Sequence, residues 1–233
     1  MGHAMIVAFA GQKGGSGKTT GAICVADEWH RRDRDVLLVD VDPQGTARTW
    51  SDVLAESDHD GPTTVGMGAQ FCDELEELAE SFEHTVIDCP PGNSERQRAA
   101  MMVADVVLVP CGPGATDVWS MGETIEMARK ARGIRPELDV GILVTRKDAR
   151  TVIGDKAVEA LEATELPVFE TMLGFRVDYQ EAPAEGVGVT RYNPSGAAAD
   201  EVRTLVDELE SLNATEGTHE QQQTESRGPQ AAE

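Results

Sequence analysis

Gly11-Gln12-Lys13-Gly14-Gly15-Ser16-Gly17-Lys18-Thr19, continued by Thr20, is the stretch that decides how this chain folds. The apolar run Met5 to Ala10 precedes it and reads as a buried strand, and a helical pattern follows it. Strand, glycine-rich turn and helix in that order make a phosphate-binding loop. Its glycines let backbone N–H groups curl around phosphate oxygens, and the helix N-terminus favours the same negative charge. In that layout Lys18 reaches the β- and γ-phosphates, and the Thr19 hydroxyl is placed to ligate Mg²⁺. Lys13 is not needed for this cradle. Its backbone leaves the strand before the cradle forms, so its side chain can point towards the nucleotide of another subunit.

Two further strands end in carboxylates. Val36-Leu37-Leu38-Val39 runs into Asp40-Val41-Asp42-Pro43-Gln44-Gly45, with Asp40 and Asp42 two residues apart and therefore on one side of the strand end. Ligands in α/β sheets bind at the carboxyl ends of the strands, which puts both carboxylates near the phosphates. Thr85-Val86-Ile87-Asp88-Cys89-Pro90-Pro91-Gly92 has the form of a Walker B strand. Asp88 is the candidate for the Mg²⁺ shell, and Pro90-Pro91-Gly92 for a switch loop sensitive to the γ-phosphate.

The Lys13-Gly14-Gly15-Ser16-Gly17-Lys18-Thr19 pattern resembles the deviant Walker A motif of the ParA/MinD family of dimerising ATPases. The likeness extends through Asp40 to Gln44 and through Asp88 to Gly92. It continues into Phe175 to Pro183 and Tyr192 to Ser195, where it is closest to short ParA-type partition proteins without a fused helix-turn-helix. The resemblance implies ATP and Mg²⁺ as cofactors, nucleotide contacts from Gly14 to Thr20, and Asp40 beside the metal and its waters. It also implies Asp42 positioning the attacking water and Lys13 crossing to the phosphates held by a second subunit. Lys13, Lys18 and Asp42 are then the catalytic set, and Thr19, Asp40 and Asp88 the metal set. An ATP-dependent homodimer that binds non-specific DNA, and is released by a centromere-binding or cargo adaptor protein, completes the expectation. Such a protein works in the cytoplasm on the nucleoid.

Strand-like runs recur near 36–39, 84–88, 105–110, 138–144 and 167–170. Amphipathic stretches lie near 17–32, 69–81, 94–102, 115–132, 152–163 and 195–212. This alternation predicts an α/β fold: a three-layer, doubly wound, mostly parallel sheet with helices on both faces, of the phosphate-loop NTPase type. One domain is expected over 5–212, preceded by a cloning scar at 1–4. A polar tail at 213–233 lacks large apolar side chains and is expected to be disordered. Cys24, Cys72, Cys89 and Cys111 show no C-x2-C spacing, and the two within strands or at strand ends read as reduced core thiols of a cytoplasmic protein.

Charge is the unusual bulk feature. Forty-two acidic residues face twenty basic ones, and only five of these are lysine, a balance typical of proteins that work at very high salt. A net charge of −22 disfavours nucleic acid in general. One basic island stands out: Arg129, Lys130, Arg132, Arg135, Arg146, Lys147 and Arg150. Arg176 and Arg191 lie in the ParA-like C-terminal segment and are further candidates for DNA contact. A grip on about six phosphates weakens by roughly five powers of salt concentration, so in high salt it would need two subunits or a partner. Val202, Leu205, Val206, Leu209 and Leu212 predict an amphipathic helix whose polar face is mainly acidic, which argues for packing on the sheet and against a membrane. A metabolic synthetase of the dethiobiotin synthetase type and a MinD-like membrane protein are the alternatives.

Overall fold

A computed structural model of the chain places β1 (Met5–Phe9) near the middle of a six-stranded parallel sheet. On one side it pairs with β4 (His84–Asp88), which pairs with β2 (Val36–Asp40), and β3 (Thr63–Gly66) forms that edge. On the other side β1 pairs with β5 (Val106–Cys111), which pairs with β6 (Asp139–Val144). The structure describes residues 5–92, 95–148 and 159–226, with side chains to 212. Residues 1–4, Arg150, most of the helix expected at 152–163 and the last seven residues therefore lie outside the described residues.

Apolar side chains alternate between two separate cores, as a sheet covered on both faces requires. Val7, Phe9, Leu38, Val86 and Leu108 pack under α1 (Lys18–Arg31), α2 (Thr46–Ala55) and α9 (Ala197–Ser226). Ala8, Leu37, Val39, Ile87, Val107 and Ile142 face α3 (Cys72–Ala79), α4 (Glu95–Val103) and α6 (Gly122–Ile134). The three-layer, doubly wound architecture is the one expected. α5 (Ala115–Trp119), α7 (Asp178–Glu181) and α8 (Val189–Tyr192) are short pieces between these elements.

Four details differ from expectation. β3 carries the exposure of an edge strand and one branched apolar residue, Val65, so no alternating run marked it. α2 buries only Ala47, Trp50 and Leu54, a stripe too narrow to stand out. The strand expected at 167–170 is a single bridge, Val168 to Ile142, beside β6. Residues 213–226 are helical, continuing α9 beyond the packed turns that carry Val202, Leu205, Val206 and Leu209. That burial gives the apolar face of α9 to the sheet, as its acidic polar face predicted. Among the described residues no helix is long and apolar enough to cross a membrane.

Two sites on the α1 side of the sheet bear on stability. The 3₁₀ turn Ala182–Glu185 ends in Gly186, whose φ is 71°, and a Cβ there would lie 2.6 Å from the Leu54 backbone nitrogen. His84 stacks on Trp29, ring centroids 4.3 Å apart, and burial lowers its pKa to about 4. Gly186→Ala is expected to cost about 2–4 kcal/mol, read as a lower urea midpoint, through a left-handed backbone and a backbone clash together. Gly68→Ala, with open space around it, should be near neutral. For His84 the unfolded chain binds a proton that the native ring refuses, so stability should fall as pH drops from 6.5 towards 4. His84→Phe should remove that part of the acid slope, measured as the difference in urea midpoint between pH 7 and pH 4.5.

Candidate functional site

Parallel register brings three strand ends level: Phe9 pairs with Asp88, and Asp88 with Asp40. The phosphate loop leaves β1 at this edge. Gly15 and Gly17 take φ of 69° and 101°, conformations that glycine adopts freely, and Gly17 caps α1. Lys18, in the first turn of α1, curls back so that its Nζ donates to the Lys13 carbonyl at 3.0 Å. The Ser16 hydroxyl oxygen is buried without a hydrogen-bond partner, and Thr145 Oγ1 pins the loop by donating to the Ser16 carbonyl at 2.8 Å. Gly14 is exposed, Thr19 is half-buried near Asp88, and Thr20 faces a groove beside the loop.

Asp88 is fully buried and neither carboxylate oxygen has a well-formed hydrogen bond. Burial raises its pKa to about 7; the carboxylates of Asp40 and Asp42 push the same way, while the Thr19 hydroxyl and the Lys18 ammonium oppose them. Burial also lowers the Lys18 pKa, with Asp88 the largest opposing influence. An unpartnered buried carboxylate beside a threonine hydroxyl suits a hard divalent cation, and the glycine cradle with Lys18 suits phosphates. The residues present therefore fit Mg²⁺ and a nucleotide triphosphate.

The other two carboxylates behave differently. Both oxygens of Asp40 are engaged by backbone N–H groups, Asp42 at 3.0 Å and Arg48 at 3.1 Å, so Asp40 fixes the turn between β2 and α2. Asp42 stands half-exposed on that turn and accepts the Gln44 N–H at 2.9 Å. Lys13 does not float free. Its Nζ lies 2.6 Å from Asp117 Oδ1, and Arg146 approaches the same oxygen at 3.5 Å.

The basic island is not one surface. Arg129, Lys130, Arg132 and Arg135 lie at the end of α6 ahead of β6, whereas Arg146 and Lys147 follow that strand. Six residues of strand separate the two groups, about 20 Å. Arg129 bonds Glu126 and Glu165, Arg135 caps the carbonyls of Met102 and Ala104, and Arg176 bonds Glu201 at 2.6 Å. Lys147 meets the Met172 sulfur. Lys130 and Arg132 stand exposed. Arg191 is a structural cation: it lies 2.9 Å from the fully buried Asp27 of α1. The cluster is continuous along the chain and discontinuous in space, because it brackets a strand.

Three contributors went unread in the sequence. Asp117 and Thr145 both follow carboxyl ends of strands, β5 and β6, and that position was the signal available. Gln97 of α4, whose Nε2 bonds the carbonyls of Gly11 and Pro90, sits in a polar run that gave no signal. Thr145 and Arg146 also line the groove of about 190 Å³ beside Gly15, Gly17 and Thr20, closed by Phe175, Arg176 and Tyr179.

Comparison with known proteins agrees with this geometry. Residues 7–189 match the model of the CobQ/CobB/MinD/ParA nucleotide binding domain. "Maintenance of carboxysome distribution protein A" of Halothiobacillus neapolitanus is 31% identical over 209 residues, covering 88% of this chain and 96% of that one. The "chromosome-partitioning ATPase Soj" of Thermus thermophilus is 31% identical over 236 residues, covering 87% and 94%. The solved ATP complex of a Cyanothece McdA variant superposes with a TM-score of 0.73 over 90% of this chain and 97% of that one, at 17% identity, a likeness of fold. With its phosphate loop, Walker B carboxylate and parallel sheet in place, the chain belongs to the CobQ/CobB/MinD/ParA nucleotide-binding family and is an ATPase of the ParA/MinD type.

Proposed function

We propose that this ATPase is a positioning protein whose self-association is gated by ATP. The observation that carries the reading is Lys13. The phosphate loop already holds Lys18, and Lys13 lies at its rim, partly exposed and, among the described residues, paired with one carboxylate, Asp117 of the short helix α5. Such a lysine serves a second subunit's nucleotide better than its own.

In this reading Lys18 and the loop amides hold the phosphates, and Thr19 and Asp88 hold the metal. Bound Mg²⁺ supplies the positive charge that stabilises the phosphates during transfer. Asp40 fixes the turn that presents Asp42, and Asp42 orients the attacking water. The groove bounded by Thr145, Arg146, Phe175 and Tyr179 opens directly off the loop and receives the base and ribose. Two subunits close face to face, and each Lys13 exchanges Asp117 for the phosphates of the partner, a trans-acting cation that ties hydrolysis to assembly.

The two curated relatives differ in what their names say they position, carboxysomes in one and chromosomes in the other. Shared machinery with different cargo supports an adaptor protein as the part that chooses the cargo. For a DNA track, the engaged state of Arg129, Arg135 and Arg176 leaves Lys130 and Arg132 as the better candidates. A dimer would present them twice, which helps a chain of net charge −22 at the high salt that its composition fits. This reading assigns the protein to the cytoplasm and the nucleoid.

The test is ATP turnover against protein concentration, with nucleotide affinity measured in parallel by fluorescence. Lys13→Ala is expected to bind Mg²⁺·ATP normally while losing the rise of turnover with concentration. Lys18→Ala should lose about 10- to 100-fold in affinity, the worth of charge-assisted bonds to phosphate. Asp117→Asn should shift the rise to lower protein concentration by releasing Lys13. Equal loss of nucleotide affinity in both lysine variants would remove Lys13 from the cross-subunit role.

A further inference from the structure

The two loops expected to register the nucleotide are fastened to each other by one side chain. Gln97 lies two residues into α4 and is fully buried. Its Nε2 donates to the Gly11 carbonyl at 3.0 Å and to the Pro90 carbonyl at 2.5 Å. Both carbonyls lie beyond the last rung of the β1–β4 ladder, Phe9 against Asp88, so neither is served by strand pairing there. One backbone bond adds to the link, from the Gly92 N–H to the Gln12 carbonyl at 2.8 Å, with Gly92 at a φ of 88°. A primary amide is well matched to such a link, because it offers two N–H donors from one nitrogen and carries no charge that burial would penalise.

We propose that Gln97 is a positioning residue of the ATPase cycle, tying the 90–92 turn to the phosphate loop and carrying its movement into α4. The inference rests on the reading of 90–92 as a switch turn. If that turn shifts with the γ-phosphate, it must either abandon the Gln97 donor inside the protein or draw Gln97 with it. Leaving the buried Pro90 carbonyl and one of the two amide N–H groups unpaired is unfavourable, so the helix follows the turn. α4 packs against α3 and α6 in the same helical layer, so its shift is passed to both.

Gln97→Met keeps the length and volume of the side chain and removes both donors; Gln97→Glu is a second isostere should the first fold poorly. Hydrogen exchange of residues 88–92 and of α4 is measured in the full chain with Mg²⁺·ADP and with a non-hydrolysable ATP analogue, together with the affinity for each. In the wild type both segments should differ between the nucleotides. In the variant the 88–92 difference should persist while the α4 difference disappears, and the ratio of the two affinities should change about fivefold or more. A variant that keeps the α4 difference and the affinity ratio would reduce Gln97 to core packing and overturn the proposal alone. A wild type whose 88–92 segment ignores the nucleotide would overturn the switch reading and the proposal with it.

Discussion

A carboxylate buried without a well-formed hydrogen bond, set beside a buried ammonium, is the constraint on which the rest of this molecule depends. Ionised carboxylates lose several kcal/mol of hydration on burial, and ordinary folds avoid leaving one unpaired. Here the sheet imposes it. Level parallel strands bring Asp88 against Phe9 and Asp40, and α1 delivers Lys18 and Thr19 to the same point. The site is electrostatically incomplete as a protein surface and is completed by a cation and phosphates. That incompleteness distinguishes a binding site from a well-packed strand end.

Around this centre, the neighbouring side chains divide the work by how they are held. Asp40 spends both oxygens on its own loop and serves as scaffold. Asp42, two residues on, is left partly exposed, and Thr145 secures the phosphate loop from the far side of β5. Among the described residues, Asp117 alone forms an ion pair with Lys13; the carboxylate is buried and the lysine partly exposed, so Lys13 is the partner that can swing away. The fixed and exchangeable groups therefore sort themselves: backbone hydrogen bonds mark the scaffold, and single ion pairs at the rim mark what can move. Gln97 belongs to the first kind by burial and to the second by what it joins.

Much of this was legible in the sequence because it is local. A nine-residue loop, two strand-end carboxylates and their spacing require no knowledge of distant contacts, so Lys18, Thr19, Asp42 and Asp88 fell at the carboxyl edge as expected. What escaped was non-local. The partner of Lys13 lies more than a hundred residues away, and the bond from Gln97 to Gly11 spans eighty-six positions. Reading charge along the chain also misled. Residues 129–147 look like one basic patch, yet a six-residue strand divides them, and carboxylates from other elements pair with guanidinium groups among them, Glu165 with Arg129 and Asp117 with Arg146. α2 and β3 were missed for a simpler reason: each buries too little to leave a periodic trace.

The central claim is that one subunit's Lys13 completes the other subunit's site, and mixing two disabled proteins tests it most directly. Lys13→Ala lacks the donated lysine but keeps its own Asp42; Asp42→Ala lacks the water-positioning carboxylate but can still donate Lys13. Each alone should hydrolyse ATP poorly. Mixed in equal amounts, they should recover about a quarter of wild-type turnover, because half of randomly formed two-fold dimers carry one complete site. Turnover no higher than that of either variant alone would contradict the account and return Lys13 to its own subunit.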